Sequence, residues 1–368
     1  MALGPLMLAC LLGAGGAALT EVRVMSFNIR TASEWARTHG GDRANGRTWD
    51  QRTKGVVSAI ATARAHVVGT QEGLLGQLDD LARALPGWER FGEGREGGEG
   101  GGDENEYAAI LYNASALERT GGGTFWLSAT PTAPGSQSWE SSLPRVATWA
   151  TFSVRADAGG GAGAGAAFGV VNAHFDHHSE EARANSAALV RRFVAARLAG
   201  AGPVAVTGDF NAAKDERWYQ VFTAPPADLA AGGALAEGLH AFDWPPELPA
   251  GAVGGPLLDA WARAESRSCG ACGQSTYHAW KGAAAANHMW VEPHDGDASR
   301  EIALSGTQHV DGVMLAEGGG AAVRVVQAKM ITDDKRIRYL GGPHASDHYP
   351  IIALLEWDAG GGNARAEL

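Results

Sequence analysis

The segment PVAVTGDFN, residues 203–211, carries the clearest information about the fold. It begins with a run of small and β-branched apolar residues, which is typical of a strand buried inside a sheet. The run stops at Asp209 and Asn211, where a core pattern would continue with apolar side chains. Ligand sites of α/β proteins lie at such strand ends. The segment therefore predicts an α/β domain with a polar, functional sheet edge.

Five further segments place polar side chains next to a predicted strand. They contain Asn28, Glu72, His174 with Asp176, Asp311, and Asp347-His348. Each residue alone has an ordinary explanation, because Asp and Asn begin turns and cap helices. Six such endings in one chain favour a second explanation, in which these side chains meet at one edge of the sheet.

Apolar periodicity predicts how the rest of the chain is organised. Strands are predicted at residues 22–29, 67–70, 107–112, 146–154, 168–174, 203–208, 310–315, 323–328 and 350–355, and helices at 49–63, 74–85 and 180–198. The Gly- and Glu-rich segment 92–106 and most of 225–256 are predicted to be loop. Strands alternate with helices first and dominate later, which predicts one α/β domain whose sheet core is covered by helices.

Composition narrows the class of protein. The chain has 368 residues and a formal net charge of −11, which argues against holding nucleic acid by bulk electrostatics. Three cysteines exclude a disulfide scaffold. Cys269 and Cys272 are predicted either to form a small-loop disulfide outside the cell or to remain thiols inside it.

The two ends of the chain are predicted to lie outside the domain. Residues 1–20 carry no charge, and an apolar run is followed by small residues, which resembles a signal peptide. The alternative is an unprocessed N-terminus. The domain is then predicted at 21–358, followed by a flexible tail at 359–368. A cleaved leader implies secretion, and an uncleaved one implies a soluble intracellular protein. No membrane span is expected.

The residue types at the strand ends suit a hard divalent cation, which prefers oxygen ligands. Glu72 could supply such a ligand, and Asp209 or Asp347 could hold a water molecule and take its proton. A histidine beside a carboxylate can stabilise or protonate a phosphoryl oxygen. His174 with Asp311 forms one candidate pair of this kind, and Asp347 adjoins His348. A zinc site would need four ligands at closer spacing than the chain offers.

Six motifs in this order resemble those of the endonuclease/exonuclease/phosphatase superfamily. They are Ser26-Phe27-Asn28, Gln71-Glu72, Asn172-Ala173-His174, Gly208-Asp209-Phe210-Asn211, Val310-Asp311 and Ser346-Asp347-His348-Tyr349-Pro350. The resemblance extends over about residues 22–355. It implies a four-layer α/β sandwich, in which two mixed β-sheets pack face to face with helices outside.

The same resemblance implies roles for individual residues. The metal site would contain Asn28 and Glu72, with Asp347 near it. Asp209 and Asn211 would activate the water and orient the phosphate. The remaining catalytic residues would be His348, which stabilises the phosphoryl group, and His174 with Asp311 as its carboxylate partner.

Substrate contacts are predicted less directly. Arg145 and Arg183 are candidate phosphate ligands, because guanidinium groups bind phosphate bidentately, and Asp176 lies in the same motif region. A solvated helix face is the alternative for Arg183. Trp126, Trp139 and Trp149 would stack on a base or sugar, or else belong to the core or its rim. His288 and His294, in an unexpectedly long segment at 278–307, would be loop histidines or a second metal site.

Together these features predict a hydrolase of phosphoric esters that depends on Mg²⁺ (or Mn²⁺). One substrate hypothesis is a nuclease, for example a 3′ exonuclease on RNA. Another is a phosphatase or phosphodiesterase acting on a small or lipid-linked phosphate, such as an inositol phosphate or sphingomyelin. The non-catalytic alternative is a binding module that kept the fold and lost the activity. No obligate protein partner is indicated.

Overall fold

The structure, a computed structural model, describes residues 19–97, 102–156, 164–269, 275–278, 280, 288–291, 300–303, 309–317, 322–332 and 345–358. Most of the predicted leader, the predicted tail at 359–368 and most of the segment 278–307, including His294, lie outside the described residues. Cys269 is disulfide-bonded, and Cys272 also lies outside them. Within the described part of the chain, no helix combines the length and the apolar character needed to cross a membrane.

Strands make up most of the regular structure. In chain order they are β1 (Leu19–Asn28), β2 (Val67–Leu74), β3 (Trp88–Phe91), β4 (Glu106–Asn113), β5 (Leu117–Trp126), β6 (Val146–Val154), β7 (Ala167–His174), β8 (Val204–Asp209), β9 (Leu258–Asp259), β10 (Ser266–Ser268), β11 (His288–Val291), β12 (Arg300–Ala303), β13 (Asp311–Ala316), β14 (Arg324–Met330) and β15 (Ile351–Asp358).

Helices connect strands between β1 and β10. They are α1 (Glu34–Thr38), α2 (Trp49–Ala63), α3 (Leu75–Ala84), α4 (Glu180–Phe193), α5 (Arg217–Thr223), α6 (Pro226–Leu229) and α7 (Ala260–Arg263). Helix α4 begins at an N-cap, where Ser179 Oγ accepts a hydrogen bond from Ala182 N at 3.1 Å. It ends in one π-helical turn, Val194–Leu198, so the helical span predicted at 180–198 is confirmed.

Two mixed sheets form the centre of the protein. The larger has the order β10-β14-β15-β1-β2-β4-β3, and the smaller has the order β5-β6-β7-β8-β13-β9. The pairs β1–β2, β7–β8 and β10–β14 are parallel, and the other neighbours in these sheets are antiparallel. Strands β11 and β12 form a separate two-stranded ribbon.

Alternating side chains along each strand create three apolar layers. Val24 of β1 and Val170 of β7 belong to the cluster between the two sheets. Their neighbours point the opposite way: Met25 packs with residues of α2 and α3, and Val171 packs with residues of α4 and α5. Burying each such side chain stabilises the fold by roughly 1.5–3 kcal/mol. The predicted four-layer α/β sandwich is confirmed.

Strand β5 was not predicted, because Gly121, Gly122 and Gly123 break its apolar pattern. The strand pairs along the whole of β6. A Cβ on Gly122 would lie 2.6 Å from the Phe91 ring, and one on Gly123 would lie 2.9 Å from the Trp149 indole nitrogen. Glycine is therefore required where aromatic rings lie over the strand, and this packing is not visible in the local sequence.

Strand β2 continues beyond its predicted end at Thr70. Its pairing with β4 shifts register between Thr70 and Gly73, which is a β-bulge. Glu72 lies inside this bulge and has a left-handed backbone conformation, with φ of 63°. Bulges redirect side chains and occur beside functional sites. The sequence predicted that this strand ends at Gln71-Glu72. In the structure the strand continues to Leu74 and is only deformed at Glu72.

Candidate active site

The predicted polar residues meet at one edge of the two sheets. Parallel strands β7 and β8 end side by side, with His174 paired to Asp209. Antiparallel strand β13 starts at the same place, with Asp311 paired to Asp209. Strand β1 of the other sheet ends at Asn28. The carboxyl ends of β1, β7 and β8 and the start of β13 thus bring their polar side chains together.

Glu72 is oriented by two hydrogen bonds. The Asn28 side-chain amide donates to Glu72 Oε1 at 2.8 Å, and the backbone N–H of Thr31 donates to Oε2 at 2.9 Å. The bulge in β2 brings the carboxylate within reach of the end of β1. Glu72 is half-buried, so it remains accessible for a ligand.

A polar network beneath the site connects the bulge to the second sheet. The Asn172 amide of β7 donates to the Thr70 and Ala109 carbonyls at 2.8 and 2.9 Å. Its oxygen accepts hydrogen bonds from Gln71 Nε2 at 2.7 Å and Thr207 Oγ1 at 3.0 Å. All these groups are buried, so each needs a partner. Asn172 therefore fixes Thr70 and Gln71, at the start of the bulge, against the second sheet.

Asn28 joins the two sheets at the site. Its amide nitrogen donates to Asp209 Oδ2 at 2.9 Å as well as to Glu72, and its oxygen accepts from Arg30 N at 2.9 Å. Asn28 was predicted to belong to the metal site. It does lie there, but its nitrogen faces the carboxylates. This geometry makes Asn28 the residue that holds Glu72 and Asp209 together.

His174 is held next to Asp209. Asn211 Nδ2 donates to His174 Nε2 at 2.9 Å and to the Phe175 carbonyl at 2.9 Å. Burial, followed by the charges of Arg145 and Arg95, lowers the pKa of His174 well below its usual value. The ring is therefore neutral, and its Nε2 carries a lone pair.

His348, and not His174, is the partner of Asp311. The Nδ1 of His348 donates to Asp311 Oδ2 at 2.9 Å, and both side chains are buried. The predicted pairing of His174 with Asp311 is wrong, because β13 delivers Asp311 to the loop that precedes β15. Burial opposes the charged imidazole, but Asp311 and Asp209 outweigh it and raise the pKa of His348 to about 10.

Asp209 lies between the two imidazoles. Its Oδ2 is 3.7 Å from Nε2 of His174 and 3.7 Å from Nε2 of His348. Its Oδ1 accepts a hydrogen bond from Asn211 N at 2.9 Å. Burial and the Asp311 carboxylate raise the pKa of Asp209 to about 7, although His348 and Asn28 favour its charged form. A carboxylate with such a pKa can exchange a proton with water near neutrality.

The donor set fits a divalent cation. Among the described residues, Glu72, His174 and Asp209 form one group whose potential ligand atoms lie within 4.8 Å of one another, and Asp209, Asp311 and His348 form another. In the second group the Nδ1 hydrogen of His348 is already used by Asp311. The first group offers two carboxylates and a neutral imidazole, which suit a cation such as Mg²⁺ or Mn²⁺.

Asp347 has a different partner from the one expected. It is buried, and its Oδ2 is 3.6 Å from Arg30 Nη1. Burial opposes the charge of Asp347, but Arg30 and His348 lower its pKa. Asp347 lies outside both potential ligand groups. Arg30 is therefore the charged partner of Asp347 in this structure, and the place of Asp347 near the metal stays a prediction.

Asp176 and Arg183 serve the fold around the site. Each oxygen of Asp176 accepts two hydrogen bonds, from Ser142 N and Oγ and from His178 N and Ser179 N. Arg183 is buried and donates to Glu216 and to the Asp176 carbonyl. Because Arg183 is buried, the alternative of a solvated helix face is wrong. The contacts of both residues with substrate stay predictions.

Arg145 is a predicted substrate residue whose side chain contacts the loop that follows His174. Its side chain is 4% exposed, its Nη2 lies 2.8 Å from His177 Nδ1, and its Nε lies 3.6 Å from Asp176 Oδ2. The three predicted tryptophans pack in the core or at its rim. Trp126 is buried, and Trp139 and Trp149 pack against the core.

Three further residues near the site were not predicted to belong to it. Arg30 has φ of 57° and lies beside Asp347. The fully buried Arg52 donates to the carbonyls of Ile29, Arg30 and Ala345, and so ties α2 to two site loops. The ring of Tyr277 lies 4.9 Å from that of His348. The residues next to Arg30 and Arg52 in sequence do not indicate which groups these side chains contact.

Comparison with known proteins agrees with this geometry. The chain matches the sequence profile of the Endonuclease/Exonuclease/phosphatase family over residues 25–316. A protein of that family from Bacteroides thetaiotaomicron is similar in structure, with a TM-score of 0.64, 26% identity, and coverage of 93% of this chain and 96% of that chain.

Two other solved structures are similar. One is a mannosyl-6-phosphatase of B. thetaiotaomicron, with a TM-score of 0.63 and 26% identity; the match covers 91% of this chain and 99% of that chain. The other is D. rerio TDP2 in complex with a single-strand DNA product, with a TM-score of 0.56 and 15% identity; the match covers 91% of this chain and 99% of that chain. At this identity the similarity is one of fold alone. None of the curated proteins matches the chain. The profile match covers most of the domain and includes most of the residues that converge at the sheet edge, and on this basis the chain belongs to the endonuclease/exonuclease/phosphatase family.

Proposed function

We propose that this protein is a divalent-metal-dependent phosphoric ester hydrolase that acts on a small phosphorylated substrate. The observation that carries the proposal is the convergence of Glu72, His174 and Asp209 within 4.8 Å, with the His348–Asp311 pair adjoining Asp209. A binding module that had lost its activity would have no need to keep this set of potential ligand groups together.

The residues have distinct tasks in this reaction. Glu72 would hold the cation together with His174, whose Nε2 would exchange its hydrogen bond from Asn211 for the cation, and the bound cation would supply Lewis-acid polarisation of a phosphoryl oxygen. The Asn28 amide keeps the carboxylates of Glu72 and Asp209 together. Asp209 accepts a proton from the attacking water as the new P–O bond forms and the bond to the leaving oxygen breaks; the leaving oxygen takes a proton from solvent and departs as the alcohol.

His348 stabilises the phosphoryl group during this step. Its raised pKa keeps the ring protonated at neutral pH, and Asp311 occupies Nδ1. The Nε2 hydrogen then remains for a phosphoryl oxygen, whose negative charge grows in the transition state. His174 is neutral and contributes a lone pair at Nε2, so the two histidines are not interchangeable.

Two observations favour a small substrate over a nucleic acid strand. The net charge of −11 provides no general attraction to a polyanion. The mannosyl-6-phosphatase with 26% identity covers nearly the whole chain, and its printed name describes a phosphatase of a sugar phosphate. The nuclease hypothesis is supported by a likeness of fold alone.

A substrate panel tests the proposal. Purified protein with Mg²⁺ or Mn²⁺ would be given mannose 6-phosphate, inositol polyphosphate, sphingomyelin, single-stranded RNA and plasmid DNA, with EDTA controls. We expect hydrolysis of a small phosphate that EDTA abolishes and that Glu72→Gln reduces by at least about 100-fold. The matched control is Glu247→Gln, which alters an exposed glutamate paired with Arg197. EDTA-resistant activity, or inactivity on every substrate with either metal, would refute the proposal.

A further inference from the structure

We infer that Arg95 and Arg145 form a subsite beside His174 that binds the terminal oxygens of a phosphate monoester and makes the enzyme a phosphomonoesterase. This inference rests on the proposed hydrolase function and narrows it to one substrate class. Arg145 was expected to contact phosphate, but Arg95 was not, and the pair has consequences that one arginine would not have.

The end of strand β5 fixes the backbones of both arginines. Trp126 Nε1 donates to the Arg95 carbonyl at 2.7 Å. The next residue, Leu127, donates its N–H to the Arg145 carbonyl at 2.8 Å. Trp126 and Leu127 are both buried. Two arginines that are 50 positions apart in sequence are therefore anchored by consecutive residues of one rigid strand end.

Both guanidinium groups keep buried N–H donors without a hydrogen-bond partner. These are Nε and Nη1 of Arg145 and Nε of Arg95. Arg145 uses only Nη2, toward His177, and the 3.6 Å from its Nε to Asp176 is an ion pair too long for a hydrogen bond. Arg95 uses Nη1 for an ion pair with Glu106 at 2.5 Å, and its Nε forms only a long ion pair with Glu96 Oε1 at 3.5 Å. Unpaired buried donors are costly, and a bound ligand explains why they are retained.

Strand pairing places Arg145 next to the catalytic strand end: Ala147 of β6 pairs with Ala173 of β7, and the Arg145 side chain reaches His177, three residues beyond His174. Among charged neighbours, Arg145 and then Arg95 do most to lower the pKa of His174, and Arg145 also interacts with Asp209. Burial and then Arg95 lower the pKa of Arg145, so the two like charges also lie near each other. The carboxylates of Glu106 and Asp176 offset this repulsion in part, and a bound anion would offset it further.

The neighbouring carboxylates orient the arginines without cancelling both charges. Burial raises the pKa of Glu106 to about 7, which weakens its negative charge near neutrality. Asp176 already accepts four hydrogen bonds from Ser142 and from backbone N–H groups. The guanidinium donors therefore remain available to a stronger acceptor.

The chemistry of the acceptor selects a monoester. A phosphate monoester carries close to two negative charges at pH 7 and has three terminal oxygens, whereas a diester carries one charge and has two such oxygens. Guanidinium groups bind such oxygens in pairs of parallel hydrogen bonds. In a diester, the third oxygen is bonded to a second ester carbon, which would lie against the buried guanidinium groups in place of a charged oxygen.

Matched chromogenic substrates test the inference. Wild-type protein with Mn²⁺ would be assayed on p-nitrophenyl phosphate and bis-p-nitrophenyl phosphate. We expect kcat/KM to be at least about 100-fold higher for the monoester. Arg145→Gln and Arg95→Gln should each lower the monoester value more than the diester value, so that this ratio falls at least about tenfold. Arg197→Gln, which alters an exposed arginine, should leave the ratio unchanged.

A binding measurement provides a readout apart from turnover. Inorganic phosphate, titrated into the protein by calorimetry, should bind at least about tenfold more weakly to Arg145→Gln than to wild type, with Arg145→Lys intermediate. Arg95, at 13% side-chain exposure, serves as the second variant if Arg145→Gln does not fold. Equal losses on monoester and diester, or unchanged phosphate binding, would overturn the subsite and leave the hydrolase proposal standing. Inactivity of wild type on both substrates would instead count against the hydrolase proposal.

Discussion

Asn172→Ala should weaken the fold and the active site together. Asn172 reaches from β7 of one sheet to the bulge in β2 of the other, and its side chain makes four buried hydrogen bonds, at 2.8, 2.9, 2.7 and 3.0 Å. The bulge carries Glu72, which the proposed function makes a metal ligand. Removing the amide therefore acts on stability directly and on catalysis through the position of Glu72.

The magnitude follows from the number of hydrogen bonds. A buried hydrogen bond contributes about 1 kcal/mol net, so four of them amount to about 4 kcal/mol in the free energy of unfolding. Groups left without a partner, such as the Ala109 carbonyl, increase this cost. Domains are typically stable by about 5–15 kcal/mol, so the variant should still fold at low temperature. Its kcat/KM should fall at least about tenfold, because the bulge is no longer tied to β7.

A second asparagine provides the control. Asn185 is also buried and makes three hydrogen bonds, with Glu181, Gly238 and His240, on helix α4 away from the bulge. Asn185→Ala should cost about 3 kcal/mol and leave kcat/KM of the folded protein within about twofold. Urea titration followed by circular dichroism gives the stabilities. The reasoning is refuted if Asn172→Ala loses less than about 1.5 kcal/mol, or if its folded fraction keeps the wild-type kcat/KM.

Three other predictions concern single side chains. Asp311→Asn removes a charge-assisted hydrogen bond to His348, worth about 1.5–3 kcal/mol, and should lower kcat/KM about 10- to 100-fold while calorimetry finds Mn²⁺ affinity unchanged; weakened Mn²⁺ binding would contradict the assignment of the cation to the Glu72 group. Gly69→Ala should lower the free energy of unfolding by at least about 3 kcal/mol in urea titrations, because its Cβ would collide with the side chains of Thr207 and Asn172; a near-neutral effect would show that the sheets can separate there. His309 provides a test in pH. Burial and Lys214 lower its pKa from 6.5 to about 3, so the unfolded chain binds a proton between these values and the folded chain does not, and stability falls as the pH is lowered through this window. His309→Gln should therefore lose about 3 kcal/mol less than wild type between pH 6.5 and pH 4, and equal losses in urea titrations at the two pH values would contradict this.

The sequence identified the polar residues at the strand ends, but it did not identify the side chains with which they pair. Asp209, His174 and Asn28 could be identified because each breaks an apolar run at a strand end, a local signal. The partner of Asp311 could not be identified this way, since it depends on which loop faces β13. Likewise, Asp347 is adjacent to His348 in sequence, but its charge is balanced by Arg30, which lies more than 300 positions away.

Buried arginines limited the sequence analysis in the same way. Arg183 was expected to bind phosphate or lie in solvent, yet it holds Glu216 and the loop of Asp176. Arg95 lies in a Gly- and Glu-rich segment predicted to be loop, and nothing near it in sequence indicates a site. A long cationic side chain reaches groups whose identity is decided by packing, so its role is not encoded in its neighbours.

The sequence by itself determined the alternation of strands and helices, the layered α/β class and the set of polar residues at the strand ends. These depend on periodicity and on residue type, which act over a few positions. Only the tertiary structure decided the bulge that turns Glu72 toward Asn28, the glycines that let aromatic rings cover β5, and the pairing of each charge with its counter-charge. Those features arise from contacts between residues far apart in the chain, where geometry and burial fix the energy.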